Sequence, residues 1–253
     1  MSFIAKGASL LAFLAALAVP ALAEEAPNKP TTAPAATSTP AAGADQAKSQ
    51  STPSATPSGA PDLQAAPAPD KVDVMNLMAP GSLPEISLGE ASAPVTIVEY
   101  HSMTCPHCAH FEETVLPTLQ EKYIKTGQAR ILFRAFPLNQ LDAVAFMLLR
   151  CQPADKYIAS MAQLYQDQKD WAFTDHPKEA ITAEAKKMGF TQESFDACLK
   201  NQPIWDGLTA VAKKADETFK VDGTPTFFFN GVREGSIATV EELDQKIAPF
   251  LKK

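Results

Sequence analysis

Val95-Thr96-Ile97-Val98-Glu99-Tyr100 runs through His101-Ser102-Met103-Thr104 into Cys105-Pro106-His107-Cys108, and Gly223-Thr224-Pro225-Thr226 lies far downstream. The first stretch decides the fold. A short β-branched apolar run, bounded by Ala93-Pro94, reads as a buried strand. From Cys108 onward, Phe111, Val115, Leu119 and Tyr123 recur at intervals of three and four, the stripe of a helix. The cysteine pair therefore opens a helix that follows a strand. A helix start offers free N–H groups and a positive dipole end, and both favour a thiolate. The downstream motif places an X-Pro bond at the start of another strand. Together the two motifs read as thiol–disulfide chemistry.

Outward from this point the chain alternates. Pro117 falls inside the helical stripe and predicts a kink, and Gly127 stands where the helix should stop. Residues 130–136 form a second apolar run. A long helical block follows, with Leu141, Val144, Leu148 and Cys151 on one face, then Ile158, Met161 and Tyr165. Phe195, Cys198 and Leu199 cluster further on, and Ile204, Leu208, Val211, Ala215 and Phe219 make another stripe. Residues 226–229 and Val232 read as a hairpin around Asn230-Gly231. Thr239-x-x-Glu242 is a capping box ahead of a final amphipathic helix carrying Val240, Leu243, Ile247 and Phe250. Strand, helix, strand, helical block, hairpin and helix make an α/β plan.

The flanks bound the setting. Lys6, the apolar run 10–19 and Ala21-Leu22-Ala23 have the order of a secretory signal, so residues 1–23 are expected to be removed. An uncleaved N-terminal anchor is the alternative. The full chain carries 22 basic and 29 acidic residues, net −7, and losing Lys6 makes it −8. That balance argues against nucleic acid and anionic membrane surfaces as partners. Residues 24–80 are rich in Pro, Ala, Ser and Thr and read as a disordered linker, with 72–83 able to pack as an arm. The folded part is then 81–253. Its four cysteines, Cys105, Cys108, Cys151 and Cys198, suggest two disulfides in an exported protein.

Cys-Pro-His-Cys, the preceding Glu99 and Gly-Thr-Pro-Thr-Phe-Phe-Phe-Asn-Gly give the chain a specific resemblance over about residues 85–253. It resembles the DsbA-type thiol:disulfide oxidoreductases. The lead-in 100–104 and the cysteines of the helical block look more like the alpha-proteobacterial branch. The resemblance implies a thioredoxin fold with an inserted helical domain at about 138–220. It implies that Cys105 is the exposed nucleophile with a depressed pKa, that Cys108 is the buried resolving thiol, and that Glu99 is a buried acid beneath them. Pro225 becomes the cis-proline, leaving the Thr224 backbone facing the redox pair. His107 is expected to add a positive charge or a donor to the thiolate. Read from the strand alone, Glu99 could instead point to solvent at a sheet edge.

A lone Cys-x-x-C is as readily a structural disulfide or half of a zinc site. His101 and His110 lie close enough for a metal reading, yet no second Cys-x-x-C exists to complete structural zinc spacing. No metal and no dissociable cofactor are therefore expected; the redox group is the Cys105–Cys108 disulfide itself. Cys151 and Cys198 are read as a structural disulfide, with two buried free thiols as the alternative. In loop-entropy terms the bridge is worth about 3–4 kcal/mol. The expected function is a monomeric periplasmic oxidase that introduces disulfides into reduced exported proteins and passes electrons to a DsbB-like membrane oxidase. Two readings compete: a disulfide isomerase or reductase of the DsbC, DsbG or ScsC kind, and a copper- or zinc-binding Cys-x-x-C protein.

Overall fold

Five strands form one mixed sheet in the computed structural model, which describes residues 71–251. They are β1 (Ile86–Leu88), β2 (Val95–His101), β3 (Ala129–Ala135), β4 (Thr226–Phe229) and β5 (Val232–Glu234), in the order β1-β3-β2-β4-β5. β2 pairs in parallel with β3 and antiparallel with β4. It is thus the central strand, covered on both sides, which is why six of its seven residues are buried. The pleat sends Ile97, Glu99 and His101 to one face and Val98 and Tyr100 to the other. Ile97 joins Phe133 and Phe227 in the larger core, while Val98 and Tyr100 join Phe219 and Phe228 in a smaller one. The β4–β5 hairpin turns at Asn230 and Gly231, both at positive φ, as the sequence indicated.

A parallel β2–β3 pair needs a crossover, and the helix that opens at the cysteines supplies it. Residues 106–124 are one helical run, α2. Pro106–His110 and Leu116–Leu119 are α-helical, and Phe111–Val115 and Gln120–Ile124 are wider π turns. The predicted kink takes this form for a physical reason. Pro117 has no N–H, and its ring would meet the carbonyl four residues back. The turn before it widens instead, so that the Leu116 N–H reaches Phe111 O. Cys108, Phe111, Val115, Leu119 and Tyr123 are all buried, as their spacing predicts. Beyond the helix, Gly127 at φ 73° lets the Gln128 N–H return to Tyr123 O at 2.8 Å.

Between β3 and β4 come α3 (Gln140–Cys151), α4 (Tyr157–Gln166), α5 (Gln168–Ala172), α6 (Pro177–Lys187), α7 (Gln192–Leu199) and α8 (Gln202–Phe219). A terminal helix, α9 (Val240–Leu251), packs on α2. The sequence stripe on α3 underestimates its burial. Leu141, Val144 and Cys151 are only half-buried, whereas Asp142, Ala145, Phe146 and Leu149 are fully enclosed. The reason is that α4, α6, α7 and α8 all touch α3, so its core face is not a single stripe. Thr239 does cap α9, accepting from the Glu242 N–H at 3.2 Å, but the Glu242 carboxylate accepts from Ala238 rather than from Thr239.

Part of the 72–83 segment packs as an arm on the folded unit. Val72 and Leu77 are buried, and a short helix α1 (Val74–Met78) is capped by the Asp73 carboxylate. Arg134 donates to Leu77 O at 2.6 Å, and the Val72 N–H donates to Gly231 O at 2.8 Å. Apolar residues at 72 and 77 give this arm the buried surface to dock. The signal segment 1–23 and the rest of the linker lie outside the described residues.

Candidate active site

Cys105 is the N-cap residue of α2, in extended backbone geometry, and Pro106 follows at the first helical position, where a missing N–H costs nothing. Its sulfur is therefore placed at the helix end where the first-turn N–H groups are free, although as a thiol it makes no capping hydrogen bond. Cys108 lies one turn on and faces the core. The expected contrast between an exposed and a buried sulfur is smaller than the sequence implies: Cys105 is 6% and Cys108 1% exposed. The loop ahead of β4 covers Cys105. There the Thr224–Pro225 peptide is cis, Pro225 is buried, and the Cys105 thiol donates to Thr224 O at 3.2 Å.

The groups around Cys105 divide by which protonation state they favour. The Thr224 carbonyl accepts from the thiol and so opposes ionisation, as does burial. Against them stand the Cys108 S–H, the Thr224 hydroxyl and the backbone N–H groups of Cys108 and His107, all donors to a thiolate. The Thr224 hydroxyl is buried without a partner, so it is free to donate to a thiolate. The donors win, led by Cys108, and the Cys105 pKa falls to about 5. Burial, the hydrogen bond given to Cys105 and the neighbouring Glu99 push Cys108 the other way, well above the ordinary thiol value. Only one sulfur ionises. His107 differs from its expected role, because its ring is exposed and makes no hydrogen bond; it is its backbone N–H, in the first turn, that favours the thiolate.

Glu99 is 2% exposed, between Phe133 of β3 and Phe227 of β4, so the solvent-edge alternative is excluded by strand order. Burial first, then the charges of Glu112 and Cys105, raise its pKa well above the carboxylate range. One of its oxygens has no partner. Glu112, four residues after Cys108, is raised by burial to about 7. Sequence reading missed this second acid, although its helical spacing from Cys108 was visible. His110 Nε2 donates to Ala238 O at 2.9 Å. His101 is buried, held against the Tyr165 hydroxyl at 2.8 Å, and burial lowers its pKa to about 3. Among the described residues no group of three or more His, Cys, Asp or Glu side chains could hold a metal.

The loop from Ser102 to Cys105 is bound by side chains of the helical insert. Asp142 of α3 accepts from Ser102 Oγ at 2.5 Å and from the Met103 N–H at 2.8 Å. Asn139 donates to Thr104 Oγ1 at 3.0 Å, and Tyr165 donates to Ser102 O at 3.1 Å. Gln168 of α5 donates to Met103 O at 2.8 Å and Cys105 O at 3.1 Å. Asp142 carried a signal of the same kind as Glu99, a lone carboxylate in an apolar stretch. Gln168 carried none, because Asp167-Gln168-Lys169-Asp170 reads as a solvated turn. Elsewhere in the insert, Cys151 at the end of α3 is bonded to Cys198 of α7, with Cα atoms 6.0 Å apart.

Residues 82–248 match the thioredoxin family model. The chain belongs to the thioredoxin family, and it shares the fold of DsbA-type members, with the helices of an insert between β3 and β4. It is similar to Wolbachia pipientis alpha-DsbA1, with 26% identity and a TM-score of 0.62 over 70% of this chain and 95% of that one. Bacillus subtilis BdbD shares the fold, at 18% identity and a TM-score of 0.59 over 72% of this chain and 97% of that one. A Bacillus cereus protein named for disulfide bond formation is 31% identical over 64% of this chain and 77% of its own. A Rickettsia typhi protein named as a protein-disulfide oxidoreductase is 33% identical over 59% of this chain. This chain spans 56% of that relative's length.

Proposed function

We propose that the protein is a thiol:disulfide oxidoreductase that introduces disulfides into exported proteins through Cys105 and Cys108. The observation that supports it best is the split between the two sulfurs: one at about 5 with four donors, the other held as a thiol. A thiolate stabilised only in the reduced form makes the disulfide oxidising. A substrate thiolate attacks the Cys105 sulfur of the Cys105–Cys108 disulfide, and Cys108 leaves. Neutral Glu99 lies beside Cys108 and can give the leaving sulfur its proton. A second substrate thiolate then attacks the substrate sulfur of the mixed disulfide, and Cys105 leaves as a stable thiolate. Two electrons pass from the substrate thiols to the pair, one substrate disulfide forms, and the pair ends as one thiolate and one thiol.

No dissociable cofactor enters this cycle. Return of the pair to the disulfide needs an electron acceptor, for which a DsbB-like membrane oxidase is proposed. The signal-like segment 1–23 supports a periplasmic setting, and the Pro/Ala-rich segment after it, unlike an oligomerisation unit, supports a monomer. Among the described residues no helix is long and apolar enough to cross a membrane. The deciding experiment is the reduction potential of the Cys105–Cys108 pair with turnover of a reduced model protein. A potential as low as that of thioredoxin, about −270 mV, with no oxidation of the model protein, would overturn the oxidase reading.

A further inference from the structure

Cys105 depends on a short loop whose backbone groups are satisfied largely from outside the thioredoxin core. Each of the four residues 102–105 accepts from or donates to a side chain of the region between β3 and β4. Gln168 differs from the others in reaching the nucleophile's own peptide group. Gln168 is 4% exposed, and burying an amide is costly unless it is hydrogen-bonded. Both hydrogen bonds that its amide donates go to this loop, at Met103 O and Cys105 O. Cys105 O also accepts the first helical bond, from the Ala109 N–H at 3.2 Å. The carbonyl is therefore fixed from two directions. With its carbonyl held, the Cys105 peptide cannot turn about the bonds that aim the sulfur at the helix start.

We propose that Gln168 is a positioning residue for the exchange reaction: the helical insert, through this amide, holds the Met103 and Cys105 carbonyls so that the Cys105 sulfur stays against the N–H groups of α2. The insert then does more than widen the protein. It supplies the clamp that turns a flexible Cys-x-x-C entry loop into a fixed N-cap. Removing the clamp leaves Met103 O without a partner and lets the loop sample geometries in which the sulfur misses its donors. The proposal rests on Cys105 being the stabilised thiolate of the exchange reaction.

The test is the Gln168→Met variant, which keeps side-chain length and apolar bulk but has no donor. Three quantities are read on the full chain: the Cys105 pKa from thiolate absorbance near 240 nm, the rate of exchange with a model disulfide, and the melting temperature of the oxidised form. The expected result is a rise of about half a unit to one unit in the Cys105 pKa, the effect of a weakened hydrogen-bond set. Trp171→Phe serves as the comparison. Trp171 lies on the same short helix and donates to Leu164 O at 2.7 Å, away from the loop. It should lower the melting temperature and leave the pKa in place. A pKa unmoved in Gln168→Met, or moved equally by Trp171→Phe at equal loss of stability, overturns the inference. A wild-type Cys105 pKa near the ordinary thiol value overturns the functional reading beneath it, and that outcome is visible before any variant is made.

Discussion

Two cysteine pairs occur in this chain, and the fold treats them in opposite ways. Cys105 and Cys108 are three residues apart at a helix start, free, and surrounded by donors. Cys151 and Cys198 are 47 residues apart in sequence, bonded, and join two helices of the insert. Beside Cys198 stands the Met147 carbonyl at 3.2 Å, an acceptor that offers a thiolate nothing. Chemistry at a cysteine is decided by what its ionised form can meet. The first pair meets N–H, S–H and O–H groups that stabilise one sulfur as an anion, so its disulfide is easily given away. The second has no such set and crosses a long loop, so its value is structural.

The largest expected effect separates the pairs outright. Cys105→Ser should reduce oxidation of a reduced model protein to background, while Cys108→Ser should accumulate mixed disulfides held through Cys105. Gel analysis with and without reductant, followed by mass mapping, reads both. Capture through Cys108 in the Cys105→Ser protein would reverse the roles assigned from the helix N-cap.

Replacing both Cys151 and Cys198 with Ser should do the reverse. Closing a loop of this length is worth about 3–4 kcal/mol in the loop-entropy model. For a folded unit of this size that corresponds to about 6–16 °C in melting temperature. Exchange with a model substrate should continue. Loss of exchange at a temperature where circular dichroism shows the variant folded would mean that the second pair also shapes the first site.

How much of this was legible in sequence follows from the kind of signal each feature leaves. The central strand, the α2 stripe and the hairpin at Asn230-Gly231 announce themselves through periodicity and turn chemistry. Glu99 stands out because a carboxylate in an apolar strand needs an explanation. Its burial follows only from strand order, which places β2 between β3 and β4. Gln168 and Tyr165 lie more than 60 residues from the loop they bind, and no local pattern marks such a contact. The role of His107 was misplaced for a related reason. A sequence shows a side chain, and here it is the backbone N–H of that residue that favours the thiolate.

The comparison sharpens with pH. Cys105 has a folded-state pKa of about 5, below its unfolded value. Its contribution is therefore fully present above the unfolded value near 8.5, and it is lost as pH falls through about 5. At pH 7 the thiolate adds at most about 3 kcal/mol to the reduced form. The four-residue ring of the disulfide stabilises the oxidised form by about 2 kcal/mol in loop-entropy terms. The reduced protein should thus melt higher at pH 7 by a small margin, and the margin should vanish or invert near pH 5. Above about pH 8.5 the raised Cys108 works against the reduced form. The potential should report the same proton, falling by about 60 mV per pH unit below pH 5 and about 30 mV above it. A single slope of about 60 mV per pH unit from pH 4 to 8 would mean that no thiolate is stabilised.

The smallest effect tests which part of His107 matters. His107→Pro removes the backbone N–H that serves the thiolate, whereas His107→Ala keeps it and removes only an exposed ring. The proline variant should therefore raise the Cys105 pKa by about half a unit to one unit, the scale of one hydrogen bond to a charged group in a partly wet setting. The alanine variant should move it by less than half as much. Both should lower the potential in the same order, because a less stable thiolate makes a less oxidising disulfide. Proline also restrains the residue before it, so the melting temperature of the oxidised form must be matched between the variants. With that control in place, an alanine effect equal to the proline effect would move the credit from the helix backbone to the imidazole. The contrast between the two cysteine pairs would then rest on a side chain that the second pair lacks rather than on its position at a helix start.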